Sequence, residues 1–207
     1  MRAADDVALA ADFDGDGKSD AAVYRTSGTT GTWYIRYSTT GTVASTQFGI
    51  NYPDDTPVPS DFDGDGKADI AVWRNTGTRT FYSLDSSSGS LRTVAYGASG
   101  DKPVPADYDG DGKADPAVWR ASDNNWYINQ TSNSTTVNFQ FGNQSNDLPV
   151  PNDYDADGKV DAAVWRYTSS TTSEIGDWYI RQSSNTNTRQ EHWSMSGDKP
   201  VPSYWRR

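Results

Sequence analysis

Apolar residues in this chain come in short bursts that recur in a fixed order, with none of the 3.6-residue stripes that mark amphipathic helices. A short extended segment leads each unit: Val7 to Ala11, Pro57-Val-Pro59, Pro103-Val-Pro105 and Pro149-Val-Pro151. After a nine-residue stretch dominated by aspartate and glycine comes a tetrad, Ala22-Val-Tyr-Arg25, Ala71-Val-Trp-Arg74, Ala117-Val-Trp-Arg120 and Ala163-Val-Trp-Arg166. An aromatic segment follows, Trp33-Tyr-Ile35, Phe81-Tyr-Ser83, Trp126-Tyr-Ile128 and Trp178-Tyr-Ile180. The unit closes at Phe48-Gly49, Tyr96-Gly97, Phe141-Gly142 and, divergently, Trp193-Ser194. Four strand-like segments rich in β-branched and aromatic residues, punctuated by Gly, Asn and Ser, predict one four-stranded antiparallel sheet per unit. Sheets repeated at about 46 residues predict an all-β fold, a β-propeller of four blades. The blades fall at about 6–50, 51–97, 98–142 and 143–194 of a single domain spanning 6–202.

Fixed and drifting distances separate framework from loop. From Ile35 to Phe48, Ser83 to Tyr96, Ile128 to Phe141 and Ile180 to Trp193 the step is always 13. From the tetrad arginine to the next aromatic it runs 8, 7, 6 and 12, so the fourth unit carries a longer hairpin, Tyr167 to Asp177, expected to be a specialised surface loop. Pro103 and Pro105 point the same way along their strand and remove donors from one side only, so that side is a sheet edge, innermost or outermost. A fifth copy of this strand, Asp198 to Pro202, ends the repeats. Five first strands for four sets of the others leave three arrangements open: one terminal strand outside the ring, pairing with a neighbouring chain, or membership of a larger propeller.

The nine-residue stretch is an acidic loop written four times, of the form Asp-x-Asp-Gly-Asp-Gly-x-x-Asp in the first three copies and with one change in the fourth. Carboxylates at positions one, three, five and nine, with the carbonyl of position seven, make the oxygen-rich shell that calcium prefers. The expected ligands are Asp12, Asp14, Asp16, Lys18 and Asp20; Asp61, Asp63, Asp65, Lys67 and Asp69; Asp107, Asp109, Asp111, Lys113 and Asp115; and Asp153, Asp155, Asp157, Lys159 and Asp161. Glycine at position six allows the sharp turn, and without a cation the clustered carboxylates would repel, so metal dependence is expected, with about four calcium ions, one per repeat. Helical EF-hands are excluded because β-branched and aromatic tetrads stand where a helix would have to follow. Ala156 replaces glycine at position four of the last loop, which predicts slight strain and weaker affinity there.

These loops, the Phe-Gly ends and the period resemble the FG-GAP or VCBS repeats of bacterial extracellular proteins, whose calcium loops are similar to those of integrin α-subunit propellers. The resemblance implies a secreted or cell-surface protein with a binding role toward a surface glycan or protein, or an accessory part of a secreted hydrolase. It also implies rings of seven or eight blades, so four units raise two readings, a homodimer completing an eight-bladed ring and a fragment of a larger propeller.

Charge changes little once the metal is counted. The formal charge is −10, but 16 of the 28 acidic residues lie in the loops, and four calcium ions would leave −2. No basic patch points to nucleic acid, and no apolar run is long enough to span a membrane. With one histidine, two glutamates and no cysteine, the chain has few candidates for catalysis, and a noncatalytic protein is expected. His192 with Glu191 reads as an ordinary surface pair. Trp33, Trp73, Trp119, Trp126, Trp165 and Trp178 read as core, with sugar stacking the alternative, whereas Trp193 and Trp205 break the pattern and are candidates for ligand or partner contacts. The arginines of the tetrads read as structural ion pairs. Asn129, Asn133 and Asn143 match glycosylation sequons.

Overall fold

The computed structural model describes residues 6–51, 53–143, 146–169, 174–195, 198 and 200, all of them strand, turn or loop. The first sheet is β1 (Val7–Ala11), β2 (Asp20–Ser27), β3 (Thr30–Arg36) and β4 (Val43–Ile50). The second is β5 (Asp55–Pro57), β6 (Ile70–Arg74), β7 (Thr80–Leu84) and β8 (Leu91–Ala95). The third is β9 (Asp101–Pro103), β10 (Ala117–Arg120), β11 (Asn125–Asn129) and β12 (Thr136–Gln140). The fourth is β13 (Leu148–Pro149), β14 (Ala162–Ser169), β15 (Glu174–Arg181) and β16 (Thr188–Met195). Each sheet is a four-stranded antiparallel meander in chain order, the form of a propeller blade. The chain packs as two compact units, one with the first two blades and Gly112–Ala114, the other with the last two blades.

The tetrad and the aromatic segment form the two central strands of every blade. Their register places Tyr24 opposite Trp33, Trp73 opposite Phe81, Trp119 opposite Trp126, and Trp165 opposite Trp178. Stacking the largest side chains as cross-strand pairs concentrates apolar burial at the centre of each sheet. Trp33, Trp73, Trp119 and Trp126 are at most 1% exposed, which makes them core. The indoles of Trp73 and Trp119 donate to the carbonyls of Tyr96 and Phe141 at 3.1 and 3.2 Å, so in the second and third blades the residue just after the fourth strand is tied to the second. In the fourth blade the Trp165 indole donates instead to Ser194 Oγ, and Trp193 is left 79% exposed.

β5, β9 and β13 are end strands of their sheets, as the prolines require. Between the prolines, Val58, Val104 and Val150 each donate at 2.8 Å to the carbonyls of Ala71, Ala117 and Ala163. The three valines are buried whereas the fourth strands are largely exposed, so the proline edge is the buried one, a choice the sequence left open. These strands also begin earlier than the Pro-Val-Pro segments, at Asp55, Asp101 and Leu148.

The early start has a purpose. Arg25, Arg74, Arg120 and Arg166 grip Asp6, Asp55, Asp101 and Asp147 through paired N–H donors at 2.6–3.0 Å. Each guanidinium also lies over the middle tyrosine of the aromatic strand, Tyr34, Tyr82, Tyr127 or Tyr179, at 4.3–5.0 Å from the ring centre. Every blade thereby clamps its first, second and third strands at one end. The C-terminal strand copy, apart from Asp198 and Pro200, Trp205 and the tip of the long fourth hairpin lie outside the described residues.

Candidate metal centres

Each acidic loop joins the first and second strands of its blade. Its ninth residue pairs with the residue before the first: Asp20 with Ala11, Asp69 with Ser60, Asp115 with Ala106, and Asp161 with Asn152. The loop is therefore a tight hairpin whose first and ninth carboxylates stand side by side at its base. Backbone donors turn inward onto the first carboxylate. Asp12 accepts from Gly15 and Gly17 at 2.6 and 2.7 Å, and Asp61 from Gly64 and Gly66 at 2.6 and 2.8 Å. Asp107 takes the Gly110 N–H, and Asp153 those of Ala156 and Gly158.

This folding brings together one oxygen each from Asp12, Asp14 and Asp20; Asp61, Asp63 and Asp69; Asp107, Asp109 and Asp115; and Asp153, Asp155 and Asp161, all within 4.8 Å in each group. The fifth-position residues, Asp16, Asp65, Asp111 and Asp157, lie outside these groups. In loops one, two and four the carboxylate of that residue accepts the N–H of position seven, from Lys18, Lys67 and Lys159, at 2.8–2.9 Å. The Lys18 ammonium sits 3.4 Å from Asp16. The chains of Lys67, Lys113 and Lys159 cross Gly15, Gly64 and Gly110 of the preceding loop. Successive loops are also tied by backbone, Ala68 N–H to the Asp12 carbonyl at 2.7 Å, Ala114 to Asp61 at 2.6 Å, and Val160 to Asp107 at 2.8 Å.

A second layer of polar residues orients the carboxylates. The turn after each aromatic strand carries two hydroxyl residues: Ser38 and Thr39, Ser86 and Ser87, Thr131 and Ser132, Ser183 and Ser184. The first of each pair donates its hydroxyl to the fifth-position aspartate and its N–H to the ninth. The second donates its hydroxyl to the third: Thr39 to Asp14, Ser87 to Asp63, Ser132 to Asp109 and Ser184 to Asp155. Sequence reasoning missed these residues, although their signal was present: the pair begins three residues after Ile35, Ser83, Ile128 and Ile180 in every repeat.

Three carboxylates so close repel by about 4 kcal/mol per pair at the effective dielectric of a protein surface. Burial adds to this, pushing the Asp69 carboxyl up to about 7 and Asp115 up to about 6, against the pull of their backbone donors. Asp61 and Asp161 are raised for the same reason. Asp155 Oδ1 is buried without a hydrogen-bond partner among the described residues. A set of hard oxygen donors that cannot all stay charged unaided, one of them orphaned, fits a divalent cation, and each of the four groups could hold one.

The other singled-out pair separates. His192 Nδ1 bonds Asp177 on the adjacent strand, whereas Glu191 bonds Arg189 at 2.6 Å. Neighbours on a strand point to opposite faces, so His192 and Glu191 find different partners. Among the described residues, no helix is long and apolar enough to cross a membrane.

Comparison with known proteins finds one family. The FG-GAP-like repeat matches residues 12–72 and again 61–118, together just over half of the chain and including the first three acidic loops. No curated protein and no solved structure matches the chain. The repeat that the sequence pattern resembles is thus the one it contains: the chain belongs to the FG-GAP-like repeat family.

Proposed function

We propose that this protein is a noncatalytic, calcium-stabilised binding module of the secreted or cell-surface space, presenting its blades to a surface glycan or protein. The observation that carries the reading is the fourfold convergence of three aspartates at the base of the hairpin joining first and second strands. All-oxygen donors in a flexible loop suit calcium, and extracellular calcium is plentiful enough to fill sites of modest affinity. Aspartates one, three and nine would hold the ion, which neutralises their repulsion. The hydroxyl pairs and backbone donors hold those carboxylates in place. A structural role for the ion follows from its position between strands that must stay paired. The noncatalytic part of the reading rests on the residue inventory, since the sole histidine is engaged by Asp177 and no thiol exists. Calorimetric melting of the full chain with calcium and with excess EDTA tests the proposal. A marked loss of melting temperature is expected on chelation, and an unchanged one overturns it.

A further inference from the structure

Between the third and fourth blades, within the second compact unit, lies an open groove of about 160 Å³. One wall is apolar, made by Ile128, Val137 and Phe139 of β11 and β12. Facing it are two cations, Arg181 at the end of β15 and Lys159 of the fourth acidic loop, with the Gln130 amide beside them. The Arg181 guanidinium lies over the Phe139 ring, 4.2 Å from its centre, and neither cation has a carboxylate within ion-pair distance among the described residues. The repeat position of Arg181 holds Arg36, Leu84 and Asn129 in the first three blades, and that of Phe139 holds Thr46, Val94 and Glu191 in the other three, so an arginine facing a phenylalanine occurs here alone among the repeats. The combination therefore departs from the repeat, and it is not needed to build a blade.

Two cations with no ion-pair carboxylate among the described residues, in a chain of net charge −10, suit an anion from outside. A guanidinium fixed on a ring presents its fork edge-on, which suits a planar carboxylate held by two hydrogen bonds, while Lys159 supplies a point charge. The apolar wall suits the C–H face of a pyranose, and Gln130 can both donate to and accept from ring hydroxyls. Cavities of this size accept a single six-membered ring. We propose that this groove binds a carboxylate-bearing sugar, one uronic acid residue of an acidic glycan, with the carboxylate on Arg181 and Lys159 and the ring against Val137 and Phe139. The proposal deepens the reading of the chain as a binding module and rests on it. Ser183 lines the groove and donates to Asp157, so the acidic fourth loop borders the site and its charge opposes an anion until a cation offsets it. Binding is thus stronger in calcium than without it.

The test is titration of the full chain, calcium-loaded, with glucuronate, and with glucose, acetate and sulfate as comparisons, followed by calorimetry and amide chemical shifts. Saturable glucuronate binding that shifts the amides of Ile128, Val137 and Phe139, with glucose and acetate each weaker by about tenfold or more, is expected. Arg181→Gln removes at least about tenfold of the affinity, and Arg181→Lys restores part of it. Equal binding of acetate or sulfate overturns the sugar assignment. Equal binding of glucose, shifts mapping elsewhere, or no binding by folded protein overturns the site. Because the wild-type shifts map the ligand directly, a variant that fails to fold does not decide the matter. Calcium stabilisation without glucuronate binding removes this inference alone, whereas glucuronate binding without calcium stabilisation removes the metal reading and leaves the groove.

Discussion

The Ser87 hydroxyl donates to the Asp63 carboxylate at 2.6 Å, joining the turn between the third and fourth strands of the second blade to the acidic loop between its first and second. The contact aims one of the three converging carboxylates. Hydrogen-bond partners of metal ligands typically control affinity by about 10- to 100-fold, so Ser87→Ala is expected to weaken calcium at that loop by about tenfold. Calcium titration resolving one weakened site among four checks it.

Removing all the calcium should act on the whole fold. At about 1 mM calcium and a dissociation constant of order 0.1 mM, each site contributes about 1.4 kcal/mol, and four contribute roughly 6. For a chain of this length that corresponds to a drop of about 10 to 20 °C in melting temperature. A scan in excess EDTA reads it directly.

Acidity should reverse its effect with the metal. Asp69 and Asp115 take up protons in the folded protein at about 7 and about 6, above the ordinary carboxyl value near 4. The folded state then binds more protons than the unfolded one between about pH 4 and 7, so metal-free protein loses stability as pH rises through that window. Calcium competes with those protons, so its stabilising effect grows over the same range. Melting curves at pH 5 and 7.5, with and without calcium, test both signs.

The four arginine clamps are not equal. Asp101 is fully buried beneath Arg120, whereas the Asp6 side chain beneath Arg25 is 38% exposed. Arg120→Ala takes the guanidinium away from a buried carboxylate and should cost about 3 kcal/mol. Arg25→Ala breaks an exposed pair and should cost less than about 1 kcal/mol. Urea denaturation of the two variants measures the contrast.

Ala156 has φ +62°, where Gly15, Gly64 and Gly110 stand in the other loops. A side chain in that region costs about 1 kcal/mol. Ala156→Gly should therefore raise the calcium affinity of the fourth loop by roughly fivefold, offset in part by the freedom glycine adds to the unfolded chain. At Gly64 the reverse change would bring Cβ within 3.0 Å of the Lys113 chain, so Gly64→Ala should weaken the second loop by more than the strain alone.

What the sequence determined by itself was the local and repeated part: four blades, the order of their strands, the edge marked by prolines, the aromatic core and the acidic loops. A motif repeated at fixed spacing imposes the same short-range geometry each time, and alternation along a strand fixes which side chains share a face. Tertiary structure decided how distant segments meet. It gathered one oxygen each of positions one, three and nine, because hairpin closure sets the first and ninth carboxylates together, and it tied positions five and three to the two hydroxyls of the following turn. Those hydroxyls lie 24 to 31 residues beyond the first aspartate of each loop, so their fixed offset from the aromatic strand is legible but their partnership with the loop is not. The burial of the Pro-Val-Pro edge, the pairing of His192 with Asp177, and the meeting of Arg181 with Phe139 likewise depend on which strands face each other, a matter of packing that linear spacing does not encode.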